Sequence, residues 1–244
     1  MTSPRKSVFF LAVVISAAIS LPAQAVLIDD FTDSSGVFVD PGPGSAPTST
    51  VDGAPTGSII GGVRDSKAIN STGGGKVDVF TKSGTVILTP VLAYASDPGV
   101  AGGMELLYDA SGTGLGGGLG ADLTLGGDNA FNIGVNFSDF SSFVTIDVID
   151  ADGDSDASGP HPLPPLLTGG APVGVPVPYS SFSALIDFTA ITSIKFTFDA
   201  PTPATDLEVL FLESTFVVPE PSTLALLGIG LTGLLFASRR RFIA

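Results

Sequence analysis

Phe143-Val144-Thr145-Ile146-Asp147-Val148-Ile149 decides the fold of this chain. All of these residues except Asp147 are β-branched or aromatic, the types that fit a pleated, half-buried surface. Side chains alternate across a strand, so Phe143, Thr145, Asp147 and Ile149 point one way and Val144, Ile146 and Val148 the other. Similar short runs recur on both sides: 58–63, 76–80, 85–88, 104–108, 130–137, 193–198 and 207–216. Gly, Pro, Ser and Asp clusters separate them, the longest being 41–55, 112–127 and 159–178, and no long amphipathic helix is visible. The pattern predicts an all-β protein with a single antiparallel β-sandwich, jelly-roll-like in its simplest form. No repeat period stands out, which argues against a solenoid or a propeller.

The two ends read differently from this middle. Arg5 and Lys6 precede an apolar run from Val8 to Leu21, and Ala23-Gln24-Ala25 offers the small residues that signal peptidase accepts, so 1–25 is expected to be a signal peptide. At the other end stands Val218-Pro219-Glu220-Pro221, stiff and extended because each proline fixes φ and biases the residue before it. An apolar stretch over about 223–238 follows, expected to be a transmembrane helix, and Arg239, Arg240 and Arg241 close it. At about 1.5 Å per residue that stretch spans about 24 Å, short of a hydrocarbon core of about 30 Å.

This ending resembles the PEP-CTERM sorting signal of Gram-negative bacteria, in which a Pro-Glu-Pro motif, a short membrane helix and a basic tail are recognised by a membrane protease of the exosortase family. The resemblance implies transient anchoring with the C-terminus in the cytoplasm, processing near the motif, and transfer of the ectodomain to the cell surface or exterior, often beside exopolysaccharide and biofilm production. An ordinary single-span anchor with a positive-inside tail is the plainer alternative. The expected organisation is a signal peptide at 1–25, an ectodomain at 26–217 and a sorting signal at 218–244.

Of the 10 Lys and Arg, five lie in the two terminal segments, whereas only one of the 24 Asp and Glu does. The ectodomain therefore carries a net formal charge of about −18, which excludes nucleic acid and favours cations, basic partners or neutral glycans. There is no cysteine, so no disulfide, thiolate metal site or cysteine nucleophile exists. Stability must come from a hydrophobic core.

Leu27-Ile28-Asp29-Asp30-Phe31, Gly61-Gly62-Val63-Arg64-Asp65, Leu107-Tyr108-Asp109 and Asp206-Leu207 resemble segments of galactose-binding-like jelly rolls, many of which are carbohydrate-binding modules. By that resemblance Arg64, Asp65, Tyr108 and Asp109 are candidate ligand-binding residues. From its own chemistry Arg64, the one arginine of the ectodomain, suits a structural ion pair tying two strands.

Asp150, Asp152, Asp154 and Asp156 are candidate calcium ligands, since alternating carboxylates at a turn suit a hard cation. An EF-hand is excluded, because Ser155 replaces the sixth-position glycine and His161 the twelfth-position glutamate. A solvated acidic hairpin is the alternative. Gly112-Thr113-Gly114-Leu115-Gly116-Gly117 and Gly73-Gly74-Gly75-Lys76 lack the context of a nucleotide site and read as turns. The single histidine, His161, sits between prolines, there is no tryptophan, and Tyr94, Tyr108 and Tyr179 are the only tyrosines. Catalysis therefore has little support. The sequence points to an exported, exosortase-processed, non-enzymatic surface or matrix protein, with a carbohydrate-binding module, calcium-dependent or not, as the first alternative and an extracellular glycoside hydrolase as the second. Its expected partners are signal peptidase, exosortase and extracellular polysaccharide.

Overall fold

The computed structural model describes residues 25–32, 38–40, 49–53, 59–72, 74–83, 89–110, 118–167 and 171–217. Most of the expected signal peptide and all of the segment from Val218 onward, including the expected membrane helix, lie outside the described residues. Among those described, no helix is long and apolar enough to cross a membrane.

Among the described residues fourteen strands follow one another: β1 (Leu27–Asp29), β2 (Phe38–Asp40), β3 (Ser49–Gly53), β4 (Val63–Asn70), β5 (Val77–Ser83), β6 (Pro90–Ser96), β7 (Gly102–Tyr108), β8 (Ala130–Ser138), β9 (Ser142–Asp150), β10 (Ser155–Ala157), β11 (His161–Leu163), β12 (Val173–Pro178), β13 (Ile191–Ala200) and β14 (Asp206–Thr215). They form two antiparallel sheets, so the expected sandwich is present. The first runs β12-β8-β14-β6-β5-β2 and the second β10-β9-β13-β7-β4-β3. In the first sheet β6 pairs with the start of β14 and β1 with its end, Leu27 facing Glu213. In the second, β10 and β11 share one edge of β9.

The alternation of residues 143–149 holds. Val144, Ile146 and Val148 are fully buried between the sheets, while Phe143, Thr145, Asp147 and Ile149 lie half-buried on the outer face. Across the interface stand Ile133, Val135, Val209 and Leu212, all buried. Phe131 closes one end of this core, packed edge-on against Tyr179, Phe182, Phe188 and Phe196 at centroid distances of 5.2, 5.9, 6.2 and 5.8 Å. A buried ring of this kind contributes about 2 to 3 kcal/mol by area alone.

Among the strands that differ from expectation, β4, β11 and β12 do so for physical reasons. Within the expected run 58–63 the described residues form a turn at Ile60–Gly62, with Gly61 at φ 69°, and the strand is β4, which begins at Val63. The Pro-rich stretch 159–178 contains β11 and β12. Pro176 and Pro178 are tolerated because, among the described residues, β12 pairs only with β8, leaving its other side unladdered, where a missing N–H costs no hydrogen bond. At the start of β7 the neighbouring strands press so close that a Cβ on Gly103 would lie 2.1 Å from the carbonyl oxygen of Phe198.

Candidate functional site

The first cluster of chemistry lies between the sheets. β1 carries Asp29 inward from the first sheet, and β4 and β7 carry Arg64 and Tyr108 inward from the second. Arg64 Nη1 donates to Asp29 Oδ2 at 2.5 Å and the Tyr108 hydroxyl donates to the same oxygen at 2.8 Å. The other oxygen, Oδ1, accepts the N–H of Phe31 at 2.8 Å. This turn holds Phe31 at φ 56°, which places its ring 5.3 Å from the Arg64 guanidinium. Burial pushes the Asp29 carboxyl upward against the opposing pull of Arg64, and burial next to Asp29 drives the Tyr108 phenol well above its usual value.

Arg64, Tyr108 and Asp29 have 0% exposure, and Asp109 only 1%. Asp65 points the other way, half-buried on the outer face of β4. The four residues expected to bind a ligand are thus split between the core and the surface. Three of them offer a ligand next to no accessible surface. Arg64 ties two strands, and it does so across the two sheets, to a carboxylate 35 residues distant.

The outer face of the second sheet carries the second cluster. A groove of about 510 Å³ is lined by Leu107, Asp147, Ile149, Ser155, Ser193 and Lys195, among others. Register places Ala157, Asp147, Lys195, Leu107 and Asp65 in one row across five strands. At about 4.8 Å per strand that row is about 19 Å long. Lys195 Nζ lies 3.2 Å from Asp147 Oδ2, with side-chain exposures of 38% and 40%. A parallel pair, Lys67 to Glu105 at 2.9 Å, stands beside it. The groove and the flanking pair combine cationic donors, carboxylate acceptors and the hydroxyls of Ser155 and Ser193 over an apolar floor of Leu107 and Ile149. No tyrosine contributes: Tyr94 and Tyr108 are buried, and Tyr179 is stacked on Phe188 at 4.0 Å. The sequence does not single out Asp147 and Lys195 as a pair, although lysine is rare enough in residues 26–217 to be a signal.

The turn from β9 to β10 does not bring Asp150, Asp152, Asp154 and Asp156 together. Asp150 Oδ1 accepts the N–H groups of Asp152 and Asp154 at 3.0 and 2.9 Å, and Oδ2 accepts that of Asp187 at 3.0 Å. Asp156 instead accepts the N–H of Ser183 at 2.5 Å. These donors, Asp187 first, hold the Asp150 carboxyl below its usual range. Backbone N–H groups already engage both oxygens of Asp150, and no group of three or more metal-ligating side chains converges among the described residues. His161 opens β11, with Nε2 3.2 Å from the carbonyl oxygen of Ser158.

β14 ends at Thr215, and Asn129 grips the chain just beyond it, donating to the carbonyl of Val217 at 3.0 Å and accepting its N–H at 2.8 Å. Residues 217–241 match the family model of the PEP-CTERM protein-sorting motif, so the chain carries that motif directly after its last strand. No curated protein matches the chain. Among solved structures it is similar to a family 11 carbohydrate-binding module of a cellulosomal cellulase of Clostridium thermocellum, with 11% identity over 82% of this chain and 99% of that one, at a TM-score of 0.39. It is also similar to an exo-β-agarase, with 10% identity over 81% of this chain and 25% of that one, at a TM-score of 0.43.

Proposed function

We propose that this chain is an exported, exosortase-processed, non-enzymatic surface or extracellular-matrix protein of a Gram-negative bacterium, associated with exopolysaccharide. In this reading 1–25 is a signal peptide, 26–217 a jelly-roll-like ectodomain and 218–244 the sorting signal. The observation that carries it is the sorting motif at 217–241, which begins where the folded unit ends. A pair of prolines keeps Val218 to Pro221 extended and presents backbone to a protease beside the bilayer, while the short apolar segment and Arg239 to Arg241 fix its depth. Against catalysis, His161 is engaged with the backbone, and the Asp147 and Glu105 carboxylates face lysines rather than each other. Replacing Pro219, Glu220 and Pro221 by alanine should leave the protein exported but held as a full-length membrane form in an exosortase-bearing host. Release as efficient as that of the parent would overturn the processing claim.

The groove on the outer face of the second sheet supports a second reading, a glycan-binding module. Its length, its alternating donors and acceptors and its apolar floor suit a short neutral saccharide lying across the strands. A glycan array with the exported protein should then give binding that Lys195→Ala and Ser193→Ala both weaken. Binding that survives both substitutions would remove the groove from the account.

A further inference from the structure

Val26, the first residue left when a leader ends at Ala25, is seated against a buried carboxylate. Its N–H points at Ser214 Oγ at 3.0 Å and at Asp128 Oδ2 at 3.4 Å. Its carbonyl accepts the N–H of Ser214 at 2.8 Å, and the Ser214 hydroxyl donates to Asp128 Oδ2. Ser214 is 0% exposed and Asp128 4%. Asp128 Oδ1 is buried without a hydrogen-bond partner, and among the described residues no Lys or Arg pairs with this carboxylate. A buried carboxylate without a counter-ion is a costly arrangement. One neutral peptide N–H cannot balance it.

We propose that Ala25–Val26 is a processing site whose cleavage completes this cluster, the new α-ammonium of Val26 becoming the counter-ion of Asp128. The proposal rests on the export reading. Hydrolysis breaks the amide bond and adds water across it, leaving a carboxylate on Ala25 and an amine on Val26 that takes up a proton, since an α-amine has a pKa of about 7.7 to 8.0. Three N–H donors then replace one, enough to serve Ser214 Oγ and both oxygens of Asp128. Ala25 is exposed and Val26 half-buried, so the bond to be cut lies at the surface and the new terminus already points inward.

The neighbouring residue, Asn129, grips Val217 at the other end of the folded unit. The dipeptide Asp128-Asn129 therefore holds both junctions, the one behind the leader and the one ahead of the sorting motif. β1 ladders onto the end of β14, so fastening Val26 also fastens the strand that leads to Val217.

The other titratable groups around this cluster are Tyr179, Asp122 and Glu213. Burial and the Asp128 charge raise the Tyr179 phenol, with a smaller push from Asp122. Glu213 lies on β14 and accepts from Asn132. An ammonium that gains a buried anionic partner has a folded pKa above its unfolded one. Its contribution is complete below about pH 8 and is lost as pH rises through the folded value.

The test uses protein recovered from outside an exporting host. N-terminal sequencing should find Val26 first. Thermal unfolding from about pH 7 to about pH 10 should show a fall in Tm that begins above the ordinary α-amine range. The same protein acetylated at its α-amine, and the near-isosteric Asp128→Asn variant, should each melt lower at pH 7 and lack that fall. If Asp128→Asn does not fold, the acetylated protein decides. A chain that starts at Val26 but melts identically before and after acetylation overturns the counter-ion while leaving export intact. A different first residue overturns the site, and a chain retained in the cytoplasm overturns the export reading with it.

Discussion

Asp29 with Arg64 and Asp147 with Lys195 are both carboxylate–cation pairs, the first bridging the two sheets from inside and the second lying on the outer face of the second sheet. The inner pair has side-chain exposures of 0% and 0%, the outer pair 40% and 38%. Burial removes the water that would otherwise stand in for a lost partner, so the inner pair must be complete for the sheets to close. The outer pair can exchange its partner for water or for a ligand hydroxyl at little cost. The same chemistry is thus architecture on one face and an available binding surface on the other.

The sharpest way to break that contrast is Arg64→Ala, which strands a buried Asp29. A loss of about 3 to 5 kcal/mol is expected, read from the midpoint of urea unfolding. Tyr108→Phe removes one of the donors to the same carboxylate and should cost about 1 to 2 kcal/mol by the same measurement. Next comes acid. The N–H of Asp187 and those of the turn hold Asp150 below its usual value, and Thr189 does the same for Asp187. A lowered folded pKa gives stability that is complete above the unfolded value and is lost as pH falls through the folded one. The Tm of the parent should therefore drop below about pH 4, and the drop should be shallower in Asp150→Asn combined with Asp187→Asn. Lys195→Ala should change stability by less than about 1 kcal/mol. A loss as large as that of Arg64→Ala would erase the distinction between the faces. Smallest of all, millimolar calcium should move the Tm by less than about 1 °C, because three backbone N–H groups already engage Asp150 and no third carboxylate converges on it among the described residues.

How much was legible follows from what each strand buries. β9 declared itself because its inner face is Val144, Ile146 and Val148. β4 has the same alternation of burial, yet its inward residues are Arg64, Ser66 and Ala68, so no hydrophobic period marks it. β12 was hidden by prolines that only a strand with an open side tolerates. The rarity of Arg64 pointed to an ion pair, but its partner comes from the opposite sheet, and a contact across sheets leaves no trace in local spacing. Clustered aspartates suggested a cation, whereas the turn uses Asp150 to collect backbone N–H groups. The sorting motif was the most readable feature, because such a motif is a linear signal carried by consecutive residues and needs no tertiary contact to be recognised.

The account turns on what becomes of that signal. The most direct measurement is the intact mass of the protein recovered from outside an exosortase-bearing Gram-negative host. A chain that ends near Val218 to Pro221 and lacks Arg239 to Arg241 is predicted. A chain that retains its three arginines would contradict the processing claim.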